Sequence, residues 1–546
     1  MICLGANAFA DKVSERVYVS TDKDVYLAGD LVWCSVFCTD TGSGKLSNAS
    51  AVAYLEIASN DGVLVTGKIA LVGGRGSGAV QIPFNAPTGN YSLLGYTASE
   101  KGREDLASDA RLISVYNTFS SEKVKGGVEI VTGSVESAPA GSADTGDITL
   151  EVPVYAEKSS SFKVDVINGT ASGMTLSIAA VNEDGLHSPS QSSIVSFVSI
   201  PTEGFSGEAS DYEGETLNGR LFGSDSYSVL MDYSLLAVVA FPGLAEDVYA
   251  GRIASDGTVS FKTSNVYGDR DMVCEIIGQD DSRECRLVVE SPFLNVTVPD
   301  IPTMKLSKSQ EEALLRRHKA VRSSAKPLAD TLFEYLPRRS SFFLQDRLCK
   351  VYHLDDYDRF PTIRETILEI TPDVRLRKGL GDKTQMQVLM EGAVKDDLVF
   401  SNNVLTMIDG VPVKDIDRLL EFDPMLLSDI LVYSCSCSLG GVIFNGIVDF
   451  VTKKGDISSF KFDRNVVIVD WQGECYPVAF TCKELPVGGE DYRHTLYWHP
   501  QIELKPGEKT QIEVRTPSYS GTFKIVAEGL SEDGKPVRKE VVLDVL

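Results

Sequence analysis

Residues 402–455 read NNVLTMIDGVPVKDIDRLLEFDPMLLSDILVYSCSCSLGGVIFNGIVDFVTKKG, and this stretch alternates short apolar runs with tight turns. Asp409-Gly410 directly follows an apolar run. An Asp-Gly pair there indicates a turn, because glycine adopts backbone angles that other residues avoid. Gly440-Gly441 permits a second tight reversal. The pattern predicts a small α+β module with a strand over 404–408, a helix over 415–422, and strands over 429–433 and 442–451.

The order and spacing of these elements resemble the plug domain of the TonB-dependent outer-membrane receptors of Bacteroidetes. The matching segments are Ile408-Asp409-Gly410-Val411-Pro412, Asn445-Gly446-Ile447-Val448 and Thr452-Lys453-Lys454-Gly455. The resemblance implies that this plug-like module, which we place at 360–455, contacts an outer-membrane partner protein. It makes Asp409, Gly410, Asn445 and Gly446 the candidate contact residues.

Two features depart from the family pattern. Ser434 to Ser438, a Ser-Cys alternation, replaces the usual Tyr-Gly-rich segment. The residues that follow Gly455 are also too few for a receptor barrel of roughly twenty-two strands of about ten residues each. We therefore expect a plug-like module that lacks a barrel of its own.

The composition and net charge of the chain exclude some classes of binding partner. The 546 residues include 52 Lys and Arg against 77 Asp and Glu, a formal net charge of −25. Such an acidic chain argues against nucleic acid or an anionic membrane surface as the main partner. Ala8-Phe9-Ala10 matches a secretory cleavage site, so residues 1–10 are predicted to be a signal-peptide remnant. No later stretch has the roughly twenty apolar residues of a membrane helix. We expect a location in the cell envelope, in the periplasm or associated with the outer membrane.

Residues 11–118 alternate as in a β-sandwich. Thr21-Asp22-Lys23, Tyr26 and Gly29-Asp30 form one motif, and Pro87-Thr88-Gly89-Asn90-Tyr91 forms another, with its turn set by Pro and Gly. Both resemble the second macroglobulin domain of α2-macroglobulin-like proteins. The resemblance implies a fibronectin-like sandwich that acts as a spacer or binding module. The GCGEQ thioester sequence of full macroglobulins is absent.

The remaining domains complete a mainly β fold class, with several macroglobulin- or fibronectin-like sandwiches and one small α+β plug-like domain. Strand-like alternation and turn residues set the boundaries. Gly214 to Leu221, Leu235 to Phe241 and Ala254 to Phe261 follow one another in a pattern that resembles a carboxypeptidase-regulatory-like sandwich, which we place at 212–300. The expected order is a linker at 119–147, a second sandwich-like domain at 148–211, the third sandwich at 212–300, a helical connector at 301–359, the plug-like module at 360–455 and a C-terminal β domain at 456–546.

A basic helix is predicted in the connector. Ser309 and Glu312 have the spacing of a capping box, which starts a helix by pairing its free backbone N–H groups. Its basic residues are Arg316, Arg317, His318, Lys319 and Arg322. Two interpretations stay open for this cluster: a solvated helix face, or a docking site for an acidic partner.

Residues of catalytic or metal-binding type do not form a recognisable motif. The five histidines show no close metal spacing, and His494 and His499 fall on opposite faces of a strand. Asp355, Asp356 and Asp358 lack the glycine and terminal glutamate of an EF-hand, so a surface loop is expected. We expect a non-enzymatic protein with no cofactor and no bound metal.

The aromatic run Tyr492 to Trp498 lies in a segment, Asp491 to Pro500, that resembles Bacteroidetes proteins joining macroglobulin and plug domains. Tyr497 and Trp498 either pack in a core or anchor a partner, and both are carried as candidate contact residues. Three functions follow from the whole sequence. The first is an envelope adaptor or scaffold, the second is an accessory plug or gate for a barrel supplied by another chain, and the third is a protease-binding, macroglobulin-like protein without a thioester. The oligomeric state stays open.

Overall fold

The computed structural model describes residues 12–133, 135, 144–189, 192–201, 205–208, 211–223, 235–243, 247–277, 285–324, 333–335, 349–379, 383–391, 398–476, 478–480 and 491–546. The predicted signal-peptide remnant, residues 1–10, lies outside these ranges. The chain is mainly β, as predicted. It divides into two compact units, of which unit 1 comprises Met1–Glu215, Phe293–Pro337 and Glu474–Leu546, and unit 2 comprises Thr216–Pro292 and Arg338–Gly473.

The strands and helices are numbered here in chain order. The first strands are β1 (Lys12–Val13), β2 (Glu15–Thr21), β3 (Val25–Leu27), β4 (Leu31–Asp40), β5 (Val52–Ser59), β6 (Gly62–Ala70), β7 (Arg75–Gln81), β8 (Gly89–Tyr96), β9 (Arg111–Tyr116), β10 (Val128–Ile130), β11 (Ile148–Glu151), β12 (Tyr155–Ala156), β13 (Ser161–Asn168), β14 (Met174–Asn182) and β15 (Gly207–Glu208). The next are β16 (Glu215–Gly223), β17 (Leu236–Ala240), β18 (Val248–Gly251), β19 (Thr258–Thr263), β20 (Asp269–Ile277), β21 (Cys285–Val289), β22 (Met304–Leu306), β23 (Phe333–Tyr335), β24 (Cys349–His353), β25 (Val374–Lys378), β26 (Thr384–Glu391) and β27 (Leu398–Ser401). The last are β28 (Leu405–Ile408), β29 (Val411–Pro412), β30 (Leu427–Leu439), β31 (Val442–Thr452), β32 (Val467–Gln472), β33 (Val478–Phe480), β34 (Thr495–Leu504), β35 (Lys509–Arg515), β36 (Gly521–Ser531) and β37 (Pro536–Val545). The helices are α1 (Ile194–Ser199), α2 (Glu311–Ser324), α3 (Ile363–Ile370) and α4 (Ile416–Leu420).

The first sandwich of unit 1 falls within the range predicted for it. One sheet has the strand order β2-β4-β7, and the facing sheet has the order β3-β9-β8-β5-β6. Apolar side chains that alternate along these strands meet between the sheets and form one buried core. Tyr26 of the first motif lies in that core, and its hydroxyl donates to Asp22 at 2.9 Å.

The second sandwich of unit 1 is built from two distant parts of the chain. Its sheets have the orders β11-β13-β35 and β12-β37-β36-β14-β34. The sequence predicted separate domains at 148–211 and 456–546, whereas the structure pairs strands of both ranges in the same two sheets. The physical reason is that strands β11 to β14 are too few to cover a core, and β34 to β37 supply the missing strands.

The linker and connector are also more ordered than predicted. Strand β10 lies inside the predicted linker and pairs in parallel with β22. Helix α2 is present, but the predicted cap is displaced by two residues. Ser307 caps a 3-10 turn over Lys308–Gln310, with Gln310 reaching back to the Ser307 backbone at 3.0 Å, and the α-helix begins at Glu311. Serine and glutamine at this spacing satisfy the same free backbone groups as the predicted pair.

The third sandwich forms part of unit 2. Its sheets have the orders β19-β16-β21 and β18-β17-β20-β32. Strand β32 comes from the range predicted to be the C-terminal domain and pairs with β20 through residues Val467–Gln472. The third sandwich therefore takes one strand from beyond the plug-like module.

The plug-like module of unit 2 is the α+β element predicted from 402–455. Its main sheet has the order β24-β30-β31-β28-β29, with a second sheet β25-β26-β27 and helices α3 and α4 around one core. The module begins earlier than predicted, because β24 at Cys349–His353 is an edge strand of the main sheet. Asp409 and Gly410 both have positive φ, 46° and 75°, and form the two-residue turn between β28 and β29.

Candidate functional site

Asp409 and Gly410 are buried, so they do not form a contact surface. The Asp409 carboxylate accepts hydrogen bonds from the backbone N–H and the hydroxyl of Thr452, both at 2.7 Å. The Gly410 N–H donates to Asp449 Oδ1 at 3.1 Å. Asp449 is fully buried, and burial raises the pKa of its carboxyl to about 7. These contacts fasten the β28–β29 turn to strand β31.

Asn445 and Gly446 hold the other end of β31 in place. The Asn445 N–H donates to the Asn403 carbonyl at 2.8 Å, and its side chain donates to the Asn402 carbonyl at 3.2 Å. Gly446 is buried with φ 110°, and a Cβ at this position would lie 2.8 Å from Cβ of Val388. Both residues are therefore needed for packing inside the module.

Tyr497 and Trp498 lie on β34 of unit 1, in a different unit from the other four candidates. Trp498 is fully buried, and its ring centroid lies 5.0 Å from that of Trp33 in the first sandwich. Tyr497 is half-buried against the second core, and burial raises the pKa of its hydroxyl to about 12. The structure supports the core interpretation for Trp498. The six candidate residues divide between the two units, four in unit 2 and two in unit 1.

Basic residues of α2 contact their own unit, which neither sequence interpretation anticipated; the side chain of Arg322 lies outside the described residues. Arg317 is buried and donates from Nε and Nη2 to Asp184 at 2.7 and 2.9 Å. Burial holds the pKa of His494 well below its usual range, and the positive charge of Arg317 lowers it further. The Nδ1 of His494 lies 3.8 Å from Asp184 Oδ2. The Arg316 guanidinium lies 5.4 Å from the ring centroid of Tyr519. Helix α2 is thus attached to unit 1 by its charged residues.

The described residues show neither a metal site nor a membrane helix. Among them, no group of three or more His, Cys, Asp or Glu side chains is placed to hold a metal ion. In the same part of the chain, no helix combines the length and apolar character required to cross a membrane.

An exposed apolar patch on the plug-like module is the strongest candidate site. We define the apolar patch as Tyr357, Met425 and Leu426, whose side chains are 46%, 44% and 42% exposed. Arg359 Nη1 holds the two segments together by donating to the carbonyls of Pro424 at 3.3 Å and Leu427 at 3.0 Å. Clustered exposed apolar side chains mark interaction surfaces more often than isolated ones do.

Carboxylates flank the apolar patch on both segments. Asp355, Asp356 and Asp358 are exposed and are close neighbours of Tyr357 in the sequence, and Asp423 caps the turn that carries Met425. The sequence predicted a surface loop for the first three; all three are exposed, but Asp355 and Asp356 lie in a 3-10 turn, Leu354–Asp356. It missed the patch itself, and the available signal was the pair of apolar residues, Met425-Leu426, directly after Pro424 in the segment between the predicted helix and strand. A protein partner with an apolar centre and a basic rim would complement this surface.

Comparisons with known proteins add little to this geometry. No protein-family model and no curated protein matches the chain. The chain is similar to the structure of Salmonella alpha-2-macroglobulin reacted with methylamine at 10% identity, covering 98% of this chain and 40% of that one, with a TM-score of 0.25. It is similar to Escherichia coli alpha-2-macroglobulin activated by porcine elastase at 9% identity, covering 97% and 44%, with a TM-score of 0.25. An Escherichia coli adhesin gives 11% identity over 50% of this chain and 62% of that one, with a TM-score of 0.15.

The chain thus spans about two fifths of the length of these macroglobulins. TM-scores this low carry no argument about activity or partners. The class of the protein, a mainly β multidomain chain with sandwich domains and one α+β module, follows from its own sheets.

Proposed function

We propose that this protein is a non-enzymatic adaptor of the cell envelope whose plug-like module contacts an outer-membrane protein through the apolar patch. The observation that supports it most is the patch itself, because Tyr357, Met425 and Leu426 are all exposed. Arg359, two residues after Tyr357, bonds to the carbonyls of Pro424 and Leu427 on either side of Met425 and Leu426. Burial of such side chains against a partner is favourable, by about 25 cal/mol for each Å² of apolar surface.

The choice of partner rests on the resemblance of the module to receptor plugs. In those receptors the plug domain faces the wall of a barrel in the same chain. In this proposal the corresponding partner is a separate outer-membrane protein with an apolar centre and basic residues around it. The protein then lies in the periplasm or at the outer membrane, and its sandwich domains act as spacers.

The contact surface differs from the one predicted from the motif residues. Asp409, Gly410 and Gly446 are buried and Asn445 is half-buried, so substituting them would disturb the module before it disturbed a contact. The apolar patch is exposed, and its side chains can be replaced without removing a core residue. This difference allows binding to be tested separately from folding.

The test is an affinity pull-down of the tagged full chain from detergent-solubilised envelopes of its own cells, with mass spectrometry of the recovered proteins. Wild type is compared with a Met425→Ser/Leu426→Ser double variant and with Val154→Ser, which removes an exposed apolar side chain from unit 1. We expect wild type and Val154→Ser to recover an outer-membrane barrel protein. We expect the double variant to recover at least about tenfold less, because central apolar contacts carry most of the binding energy.

The other outcomes separate the alternative functions. A recovered barrel without a plug of its own would favour the accessory gate over the adaptor. Recovery of proteases instead of a barrel, or equal recovery by all three proteins, would contradict the proposal.

A further inference from the structure

A polar cavity lies between the first and second sandwiches of unit 1. Its volume is about 80 Å³, and its wall includes the β2–β3 turn, β14, β36, β37 and Arg317 of helix α2. One buried water needs about 10–15 Å³ of cavity volume, so this cavity has room for several waters or one small ion. Sequence motifs did not indicate this cavity, because its wall comes from segments far apart in the chain.

The carboxylates on the wall already have donors. Glu528 accepts from the Tyr18 hydroxyl at 2.9 Å, from the Ser20 hydroxyl at 2.6 Å and from the backbone N–H of Ile194 at 3.2 Å. Asp24 pairs with Arg111, and Glu183 pairs with Lys524 at 3.3 Å. Because these carboxylates already have partners, the cavity does not need a bound cation to neutralise them.

Two arginines on the same wall have guanidinium N–H groups without an acceptor. Arg538 is 6% exposed, and its Nη2 pairs with Glu540 at 2.6 Å while its Nε and Nη1 have no hydrogen-bond partner. Arg111 is 7% exposed, and its Nε is likewise without a partner. Within the described part of the chain, all buried side-chain N or O atoms of the wall that lack a partner are guanidinium N–H groups. Leaving a buried charged donor unpaired costs more than leaving a neutral one.

We propose that this cavity binds a small oxyanion or carboxylate whose oxygens accept from Arg111 and Arg538. The Nε of Arg111 and the Nε and Nη1 of Arg538 have no acceptor among the wall's own oxygens. Guanidinium groups pair with carboxylate and phosphate oxygens through charge-assisted hydrogen bonds. The site is independent of the apolar patch, which belongs to unit 2. A bound anion would link the β36–β37 pair of the second sandwich to β9 of the first.

Isothermal titration calorimetry of the full chain tests the site, with inorganic phosphate and acetate as separate probes and sodium chloride at equal ionic strength as the blank. We expect saturable binding of at least one probe to wild type. Arg538→Met is expected to weaken it at least about tenfold, the effect of losing a hydrogen bond to a charged group. Arg377→Met, which removes an exposed arginine of unit 2, is the matched control and is expected to bind as wild type does.

Circular dichroism and gel filtration report whether Arg538→Met folds. If it does not, Arg538→Lys keeps the positive charge but loses the guanidinium fork, and it is expected to fold and to bind at least about tenfold more weakly. Heats no larger than those of chloride for both probes with wild type would show that waters fill the cavity, and would overturn the proposal. Unchanged affinity in a folded Arg538 variant would overturn it as well.

Discussion

The plug-like module and the second sandwich show two ways in which this chain builds a domain. The module's two sheets are formed by strands between Cys349 and Thr452, with its helices between them. The second sandwich instead pairs β14 with β34 and β36, whose residues lie more than three hundred positions later. Contiguous elements meet through short connections, whereas distant ones must close long loops.

The buried charged residues of the module and of unit 1 also differ in how far away in the sequence their partners lie. In the module, Asp409 and Asp449 are held by backbone and hydroxyl groups from the turn and strand that they join. In unit 1, the Asp184–Arg317 pair joins the end of β14 to helix α2 across a wide gap in sequence. The ion pair of unit 1 thus joins residues 133 positions apart, whereas the buried carboxylates of the module bond to groups 39 and 43 positions away. The following predictions test that contrast, beginning with the largest effect.

Arg317→Met tests the long-range ion pair. Removing one partner leaves the buried Asp184 carboxylate uncompensated, so we expect the free energy of unfolding of unit 1 to fall by about 3–5 kcal/mol. The measurement is urea unfolding followed by tryptophan fluorescence in a Trp471→Phe background, where Trp33 and Trp498 both report on unit 1.

Arg316→Met is the matched control on the same helix. Its ion-pair partner Glu312 is exposed and its contact with the Tyr519 ring is weak, so the expected loss is about 1 kcal/mol. Equal losses for the two variants would show that the Asp184–Arg317 pair does not hold unit 1 together.

Asp449→Asn tests how the module tolerates its buried carboxyl. The pKa of Asp449 is about 7 in the folded state and about 3.9 in an unfolded chain, so the folded state retains a proton that the unfolded state releases. Stability of the module should therefore fall as pH rises from about 4 to about 7, by about 3 kcal/mol in total. Asp449→Asn should remove most of this fall and be the more stable protein at pH 8.

Hydrogen exchange of peptides covering 405–412, corrected for intrinsic rates at each pH, measures the opening free energy of this region. If the opening free energy of wild type does not change across this pH range, or changes equally in the variant, a raised pKa of Asp449 does not explain the pH dependence.

Gly446→Ala tests the local packing of β31. Its φ of 110° is unfavourable for a residue with a Cβ, and the added atom would press on Val388, so we expect the module to lose about 2 kcal/mol. Gly455→Asn is the control, because Gly455 has φ 66° and no atom within 4 Å of an added Cβ. Its expected loss is less than about 1 kcal/mol, since asparagine tolerates this conformation. Hydrogen exchange over 442–452 compares the two, and equal losses would remove the packing explanation.

Met425→Ser/Leu426→Ser should have the smallest effect on stability. Both side chains are exposed, so the free energy of unfolding is expected to change by at most about 0.5 kcal/mol. Urea unfolding by circular dichroism measures it. A loss like that of Gly446→Ala would show that the apolar patch contributes to the fold instead of a contact.

The sequence predicted the module well because its signals are local. The Asp409-Gly410 and Gly440-Gly441 turns and the strands predicted over 404–408 and 442–451 are present within a residue of their predicted bounds, whereas the strand predicted over 429–433 extends to Leu439. The pairing of β14 with β36 has no local signal, and neither does the ion pair of Arg317. Composition also did not show that Asp409 and Gly446 would be buried, because turn residues occur on surfaces and in interiors alike.

The most direct test of the adaptor proposal is site-specific photo-crosslinking in living cells. A photoreactive amino acid is placed at Met425 in one strain and, as the control, at the exposed Val154 of unit 1 in another. The proposal predicts that Met425 gives one discrete crosslinked product containing an outer-membrane protein and that Val154 gives none. The same product from both positions, or none from Met425 in a correctly localised protein, would contradict it.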